Sequence, residues 1–411
     1  MKPETAAAYS LLNAQAVRDR AHRMLAIGLE GKLPNFRINL DRLNGAAERA
    51  LTATQKAYPS LDVPFHSRWR HFVFEGQDRW AAIDKAAQWP DRAAQARAAF
   101  DLAIVSVLLD AGAGPQWRYR DPVSGKNIGR SEGLALASLA MFASGVFSSN
   151  AESPLQADAK GLESLSDQAV RDGLQVSGGN PLIGVEGRAD LLRRLGALLA
   201  SKPEIFGRHD APRPGGLFDH LATLARDGKI EAPTILSELL RHFGPIWPSR
   251  LSLGGVPLGD CWRHPSLITA DATSELVPLH KLSQWLTYSL IEPLQRAGIT
   301  VAEIDGLTGL AEYRNGGLFI DTGVLEFRDP TAAAREHDVS SPLVVEWRAL
   351  TVALLDRLAE VLRSRLKMDS QSLPLAKILE GGTWAAGRTI ARELRTDGSP
   401  PVKVISDGTV F

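Results

Sequence analysis

Apolar residues recur at steps of three and four through most of the chain, the period of a helix with one buried face. Residues 5–30 are rich in Ala and Leu with charges at helical spacing, which predicts one helix, and a second follows over 41–56. Tyr58-Pro59-Ser60 breaks the pattern. Helices are expected over 77–88 and 90–109, with Pro90 suited to the first turn of the latter. Ser131 is a candidate N-cap for an apolar helix reaching Met141. Gly178-Gly179-Asn180-Pro181 is the clearest break in mid-chain. After it, Leu191, Leu192, Leu195, Leu198 and Leu199 share one helical face.

The stretch 275–295 is the most informative. Leu276, Leu279, Leu282, Leu286, Leu290 and Leu294 form one stripe; Lys281, Gln284 and Tyr288 form another, offset from it. Trp285 and Ile291 add apolar groups away from the Leu stripe. A helix covered on several sides would carry those polar groups into the interior, whereas a solvated polar face explains them equally well. Further helices are expected over 342–366 and over 375–394, the latter interrupted by Gly381-Gly382. Strand patterns are sparse: 317–327, and 402–411 with a turn at Asp407-Gly408. The expected class is mainly α with a few short strands. Two helical domains are expected, 1–180 and 181–411, the second carrying the active site.

Composition narrows the function. The chain has 411 residues and 44% hydrophobic content, enough for a sizeable core. Lys plus Arg and Asp plus Glu balance at 47 each, which argues against a dedicated nucleic-acid role, since phosphate binding calls for a basic excess. Cys261 is the one cysteine, so no intrachain disulfide forms. The first residues lack the apolar core of a secretory signal, and no apolar run approaches the ~20 residues of a membrane span. A cytoplasmic protein acting on a small molecule, without nucleic acid or membrane, is expected; the oligomeric state is left open.

Several familiar chemistries are missing. There is no Gly-x-x-x-x-Gly-Lys-Ser/Thr loop, no dinucleotide fingerprint after a strand, and no Gly-x-Ser-x-Gly elbow. Asp260 and His264, with Cys261 between them, give a weak metal pattern, but a catalytic zinc site needs three convergent ligands. No second His or Cys cluster has zinc-like spacing, and neither metal nor cofactor is expected. In His66-Ser67-Arg68-Trp69-Arg70-His71-Phe72 the aromatic and basic residues suit a planar or anionic ligand. Burial of Trp69 and Phe72 with Arg68 and Arg70 solvated is the simpler reading. Glu132, in a first helical turn, is explained by the helix dipole alone.

The densest polar string is Leu307-Thr308-Gly309-Leu310-Ala311-Glu312-Tyr313-Arg314-Asn315-Gly316-Gly317-Leu318-Phe319-Ile320-Asp321. Ala297-Gly298-Ile299-Thr300 and Asp305-Gly306 ahead of it read as helix, turn and short helix. Glu312, Tyr313, Arg314, Asn315 and Asp321 are candidate ligand-holding groups. A structural ion pair between Glu312 and Arg314 is the competing explanation.

At this string the sequence resembles a family of uncharacterised-domain proteins of fungi and bacteria that includes the fourth component of the Urc uracil-degradation pathway. The resemblance extends to Ser67-Arg68-Trp69-Arg70-His71-Phe72, Arg130-Ser131-Glu132-Gly133-Leu134, Arg213-Pro214-Gly215-Gly216, Trp262-Arg263-His264-Pro265 and Ser406-Asp407-Gly408-Thr409-Val410-Phe411, essentially the whole chain. It implies a pathway in which the uracil ring is opened while attached to ribose and urea is freed, with a ribosylurea-type compound as substrate. A more distant resemblance links Glu312-Tyr313-Arg314 and the preceding Leu307-Thr308-Gly309-Leu310 to queuosine-salvage glycosidases, which carry Asp-Tyr-Arg-x-Pro-Gln. Lys281-Leu282-Ser283-Gln284 matches their upstream Lys-x-x-Gln, and Glu186-Gly187-Arg188 a third shared segment. Glu stands here for Asp, and Gly-Gly for Pro-Gln. This resemblance implies a helical, glycosidase-like fold and cleavage of an N-ribosyl bond.

On that reading Glu312 stabilises positive charge on the sugar or activates water. Asp321 is the second catalytic candidate and Asp260 a further reserve. Lys281, Arg314 or Arg213 would hold a ribose 5′-phosphate, if the substrate carries one. Gln284 and Asn315 would contact urea or sugar hydroxyls, with Tyr313 and His264 also assigned to substrate. The rivals are an amidohydrolase acting on a ring-opened ureido compound, for which Cys261 is the available thiol, and a non-catalytic helical partner of another pathway enzyme.

Overall fold

The computed structural model describes residues 2–110, 112–114, 116–207, 211–247 and 251–405. It is mainly α, and each strand is two or three residues long and pairs with one other. The short pairs join distant parts of the chain: Phe36–Ile38 runs antiparallel to Leu325–Phe327, and Glu336–Asp338 runs parallel to Lys403–Ile405. Among the described residues no helix is long and apolar enough to cross a membrane.

The core is one large apolar cluster, drawing on Val17 and Phe100 early in the chain and on Leu290 and Leu354 late in it, with a small second cluster around Leu11, Leu258 and Cys261. Its longest rod is the helix Pro342–Leu366, started by Ser341, whose hydroxyl accepts from the Val344 N–H. This helix packs on Ala14–Leu29. The helix Lys281–Arg296 is sheathed by Arg92–Leu108 and Ala232–Phe243, which accounts for its apolar residues on several sides.

Several boundaries differ from the sequence expectation, each for a local reason. The first predicted helix is two, Pro3–Ser10 and Ala14–Leu29, because the Asn13 side chain caps the second by accepting from the Ala16 N–H at 2.8 Å. Pro90 lies outside its helix, since Asp91 is the N-cap, accepting from the Ala94 N–H at 2.7 Å. Ser131 is inside its helix, Arg130–Ala143, and its hydroxyl donates to Asp110 instead of capping. The helix expected from 275 begins at Lys281. Leu276–Pro278 is a strand paired with Cys261–Arg263, and His280 turns the chain through a left-handed conformation at φ 47°.

The stretch 317–327, expected as a strand, is mostly helix: Tyr313–Asp321, followed by the short strand Leu325–Phe327. Glycine there serves close packing. A Cβ on Gly316 would stand 2.6 Å from Trp347 Nε1, and one on Gly387, in the crossing helix Trp384–Leu394, 2.1 Å from the Arg314 carbonyl oxygen. Gly381-Gly382 lie in a π-helical turn, Leu379–Thr383, between Leu375–Ile378 and Trp384–Leu394. Of the predicted terminal strand, Lys403–Ile405 forms; Ser406-Asp407-Gly408-Thr409-Val410-Phe411 lies outside the described residues.

Candidate active site

Three helices begin at one cavity of about 490 Å³: Arg130–Ala143, Lys281–Arg296 and Tyr313–Asp321. Helix N-termini present free N–H groups and positive dipole ends, which favour anions. Two of the starts are conformationally strained: Arg130, at φ 60°, and His280, at φ 47°, adopt left-handed backbone without being glycine. The cavity draws on both sides of residue 180, including His66, Asp110, Trp285 and Trp384.

Glu312 is the N-cap of its helix, and both carboxylate oxygens are engaged. One accepts from the Asn315 N–H at 2.6 Å and the other from the Arg314 N–H at 2.9 Å. Burial pushes its pKa up. The two N–H groups and the nearby Lys281 and Arg314 charges pull the other way without cancelling the rise. Glu is an unusual N-cap, a position that prefers shorter side chains. The competing explanation, an ion pair between Glu312 and Arg314, gives way to this backbone contact. Lys281 is half-buried on the cavity wall, and desolvation lowers its pKa against the opposing pull of Glu312 and Asp110. Among the described residues its ammonium makes no hydrogen bond or ion pair.

Around these groups lie buried nitrogens without partners, most of them obligate donors. Arg130 Nη1, Arg314 Nε, Arg388 Nε, His71 Nδ1 and Trp285 Nε1 are buried and make no hydrogen bond among the described residues. All five residues line the cavity. A buried unpaired donor costs about 1–3 kcal/mol, so clustered ones point to an acceptor-rich occupant. Asp110 and Glu132 are already engaged, with Arg68 at 2.8 Å and Arg388 at 2.8 Å. His71 stands edge-on to Trp285 and Trp384; burial, with Arg68 alongside, drives its pKa down to about 4. It is neutral at neutral pH. His66 joins the wall with Nδ1 2.7 Å from Glu380 Oε2 in the π-helical turn.

Of the residues singled out from sequence, the cavity gathers Lys281, Glu312, Tyr313 and Arg314. The others lie elsewhere. Gln284 is fully buried, its amide exchanging two hydrogen bonds with Thr308. Asn315 binds the Leu310 carbonyl and accepts from Thr383. Asp321, at the far end of its helix, is held bidentately by Arg395 at 2.8 and 2.6 Å. Arg213 pairs with buried Asp101, whose Oδ1 also accepts from the Gly215 N–H at 2.5 Å. Asp260 takes both arms of Arg348 at 2.8 Å and accepts from the Lys281 N–H at 3.0 Å, anchoring the helix that carries Lys281. His264 is fully buried with Nε2 3.3 Å from Glu346. Asp260, Cys261 and His264 form no ligand cluster; the one group of this kind among the described residues is His220, Glu238 and His242.

Sequence reasoning passed over most of the wall. His66, His71 and Glu132 belong to strings given structural explanations, and Arg68, expected in solvent, is fully buried and bonded to Ser106 and Asp110. Arg130, Trp384 and Arg388 carried no local signal beyond the Arg-Ser-Glu-Gly string.

Residues 10–411 match the family model described as "Protein of unknown function (DUF1688)". The chain belongs to the DUF1688 family. It is 40% identical over 423 residues to "Protein urg3" of Schizosaccharomyces pombe, with all of both chains covered. It is 36% identical over 416 residues to "Uracil catabolism protein 4" of Lachancea kluyveri, with 93% of each covered. The first of these alignments covers the whole chain and so spans every segment of this DUF1688 chain that builds the cavity.

Proposed function

We propose that the protein is an N-ribosyl hydrolase of uracil catabolism, cleaving a ribosylurea-type compound to urea and ribose, with a 5′-phosphate on the sugar. The pathway assignment is supported by the relative named for uracil catabolism and the full-length identity to it. The reaction assignment rests on one observation: a buried carboxylate, Glu312, on the wall of a cavity otherwise rich in cations and unpaired donors.

Cleavage adds water to the anomeric carbon and breaks its bond to the urea nitrogen. Positive charge builds on the sugar as that bond lengthens. Glu312 stabilises it, and a carboxylate held by preorganised N–H groups does so without reorganising. The same carboxylate can take a proton from the attacking water. The departing nitrogen needs a proton, and Lys281, its pKa lowered by burial, is a suitable donor beside Glu312. Arg130 and Arg314 are the cations for the phosphate, in place of Arg213, with Arg388 stacked on Trp384 at 5.3 Å as a third.

The test is purified protein with ribosylurea, free and 5′-phosphorylated, followed by release of urea and the sugar. The wild type should turn over, and Glu312→Gln should not. A fully active Glu312→Gln protein would overturn the assignment. A thiol-dependent amidohydrolase gains no support, because Cys261 is buried away from the cavity and burial pushes its thiol pKa far up.

A further inference from the structure

We propose that His220, Glu238 and His242 form a binding site for a zinc-class divalent cation, separate from the cavity. His220 stands on the helix Gly216–Leu224, and Glu238 and His242 on Ala232–Phe243. Glu238 and His242 are one turn apart and so share a face. Both imidazoles meet the same carboxylate oxygen: His220 Nε2 is 2.6 Å from Glu238 Oε2, and His242 Nε2 is 3.1 Å from it. The ring planes cross at 87°, so the two nitrogens converge from different directions. All three ligand atoms lie within 4.8 Å of one another.

That spacing suits a single ion. Zinc binds histidine nitrogen and carboxylate oxygen at about 2.0–2.2 Å, which places neighbouring ligands of a tetrahedral site roughly 3.3 Å apart. Two imidazoles and one carboxylate leave a fourth position for water. Nitrogen-rich sets favour zinc over calcium or magnesium, which take oxygen ligands. The surroundings are a half-closed shell. Phe206 stands edge-on to His242 and stacks on Phe243, while Lys202 donates to the His242 carbonyl. The three side chains keep 11–13% of their surface exposed, enough for an ion to enter. A competing charge is Arg241, 3.7 Å from the other Glu238 oxygen, and a metal-free hydrogen-bonded triad is the alternative the test must separate. A bound ion would clamp the two helices together. None of the three residues lines the cavity, so this site stands or falls independently of the N-ribosyl reading.

The test is calorimetric titration of chelator-treated full-length protein with zinc chloride, alongside cobalt binding followed by its visible absorption. The wild type should take up one equivalent saturably and gain thermal stability. His242→Ala and Glu238→Gln should each weaken binding by roughly 100-fold or more, since even a lost supporting contact costs 10–100-fold. Glu238→Gln preserves shape, so it decides the matter if the histidine variants do not fold. Wild-type protein with no saturable zinc uptake, or Glu238→Gln protein binding as tightly as wild type, would overturn the proposal.

Discussion

His66, on the cavity wall, pairs with Glu380 in the π-helical turn, with Nδ1 2.7 Å from Oε2. Burial works against the Glu380 charge. The hydrogen bond from His66, with the Arg70 charge nearby, outweighs it and holds the carboxyl below its ordinary range. A depressed carboxylate pKa contributes stability above the unfolded value of about 4.3 that is lost as pH falls through the folded one. Acid unfolding of the wild type should therefore steepen below about pH 4.3, and Glu380→Gln should flatten that part of the curve. Equal acid sensitivity in both proteins, measured by thermal melts from neutral pH downward, would contradict the pairing.

Glu312 has the opposite shift, and its consequence is kinetic. If the ionised carboxylate is the working form, activity should rise with pH through a limb lying above about 4.3, the ordinary Glu value. Glu312→Gln should lower kcat by about 100-fold or more, on the scale of losing one preorganised electrostatic contact. The amide oxygen can still cap the helix, so its cost in stability should be near 1 kcal/mol. A pH profile of kcat/KM on wild type and melting of the variant check both halves.

Arg130 and Arg314 should discriminate between phosphorylated and free substrate. Alanine at either position removes a charged donor, worth about 1.5–3 kcal/mol, and should raise KM for the phosphorylated compound by roughly 10–100-fold. The free compound should be little affected. Inorganic phosphate should inhibit competitively, and less so at high salt. Equal KM changes for both compounds would remove the phosphate role.

Asp260 should prove structural. It is locked to Arg348 by two contacts of 2.8 Å in the interior. Breaking one side of a buried pair costs about 3–5 kcal/mol because the other charge is stranded. Asp260→Asn should lower the melting temperature markedly, while the fraction that remains folded keeps most of its turnover. Loss of turnover without loss of stability would return Asp260 to the chemistry.

Gly316→Ala should destabilise by about 1–3 kcal/mol through overpacking, because its Cβ would press on Trp347 and Thr351. Urea denaturation compared with wild type measures this directly.

Periodicity carried the helices well where a long apolar stripe runs unbroken, as over Pro342–Leu366. It overran wherever polar side chains or backbone conformation set the boundary. Leu276 and Leu279 continue the leucine spacing, yet His280 reverses the chain between them and the helix. The glycines after Asn315 read as extended chain because their reason for being glycine is a neighbouring helix far away in sequence. The same limit shaped the site. Lys281 and Glu312 were legible because a helical stripe and a polar string exposed them. His71 and Glu132 were not, since their side chains share a cavity only when the 66–72 and 130–143 segments meet across the fold. Gln284 followed the Lys281 stripe by spacing, but one turn of helix carried it into the interior toward Thr308.

The cavity wall is contributed by stretches between His66 and Val404 that are far apart along the chain. A ligand held there ties together segments that only the folded chain brings side by side. Its binding energy is thereby linked to the unfolding of the whole molecule. Saturating ligand should slow amide exchange and protease cleavage even in helices that never contact it, such as Ala14–Leu29.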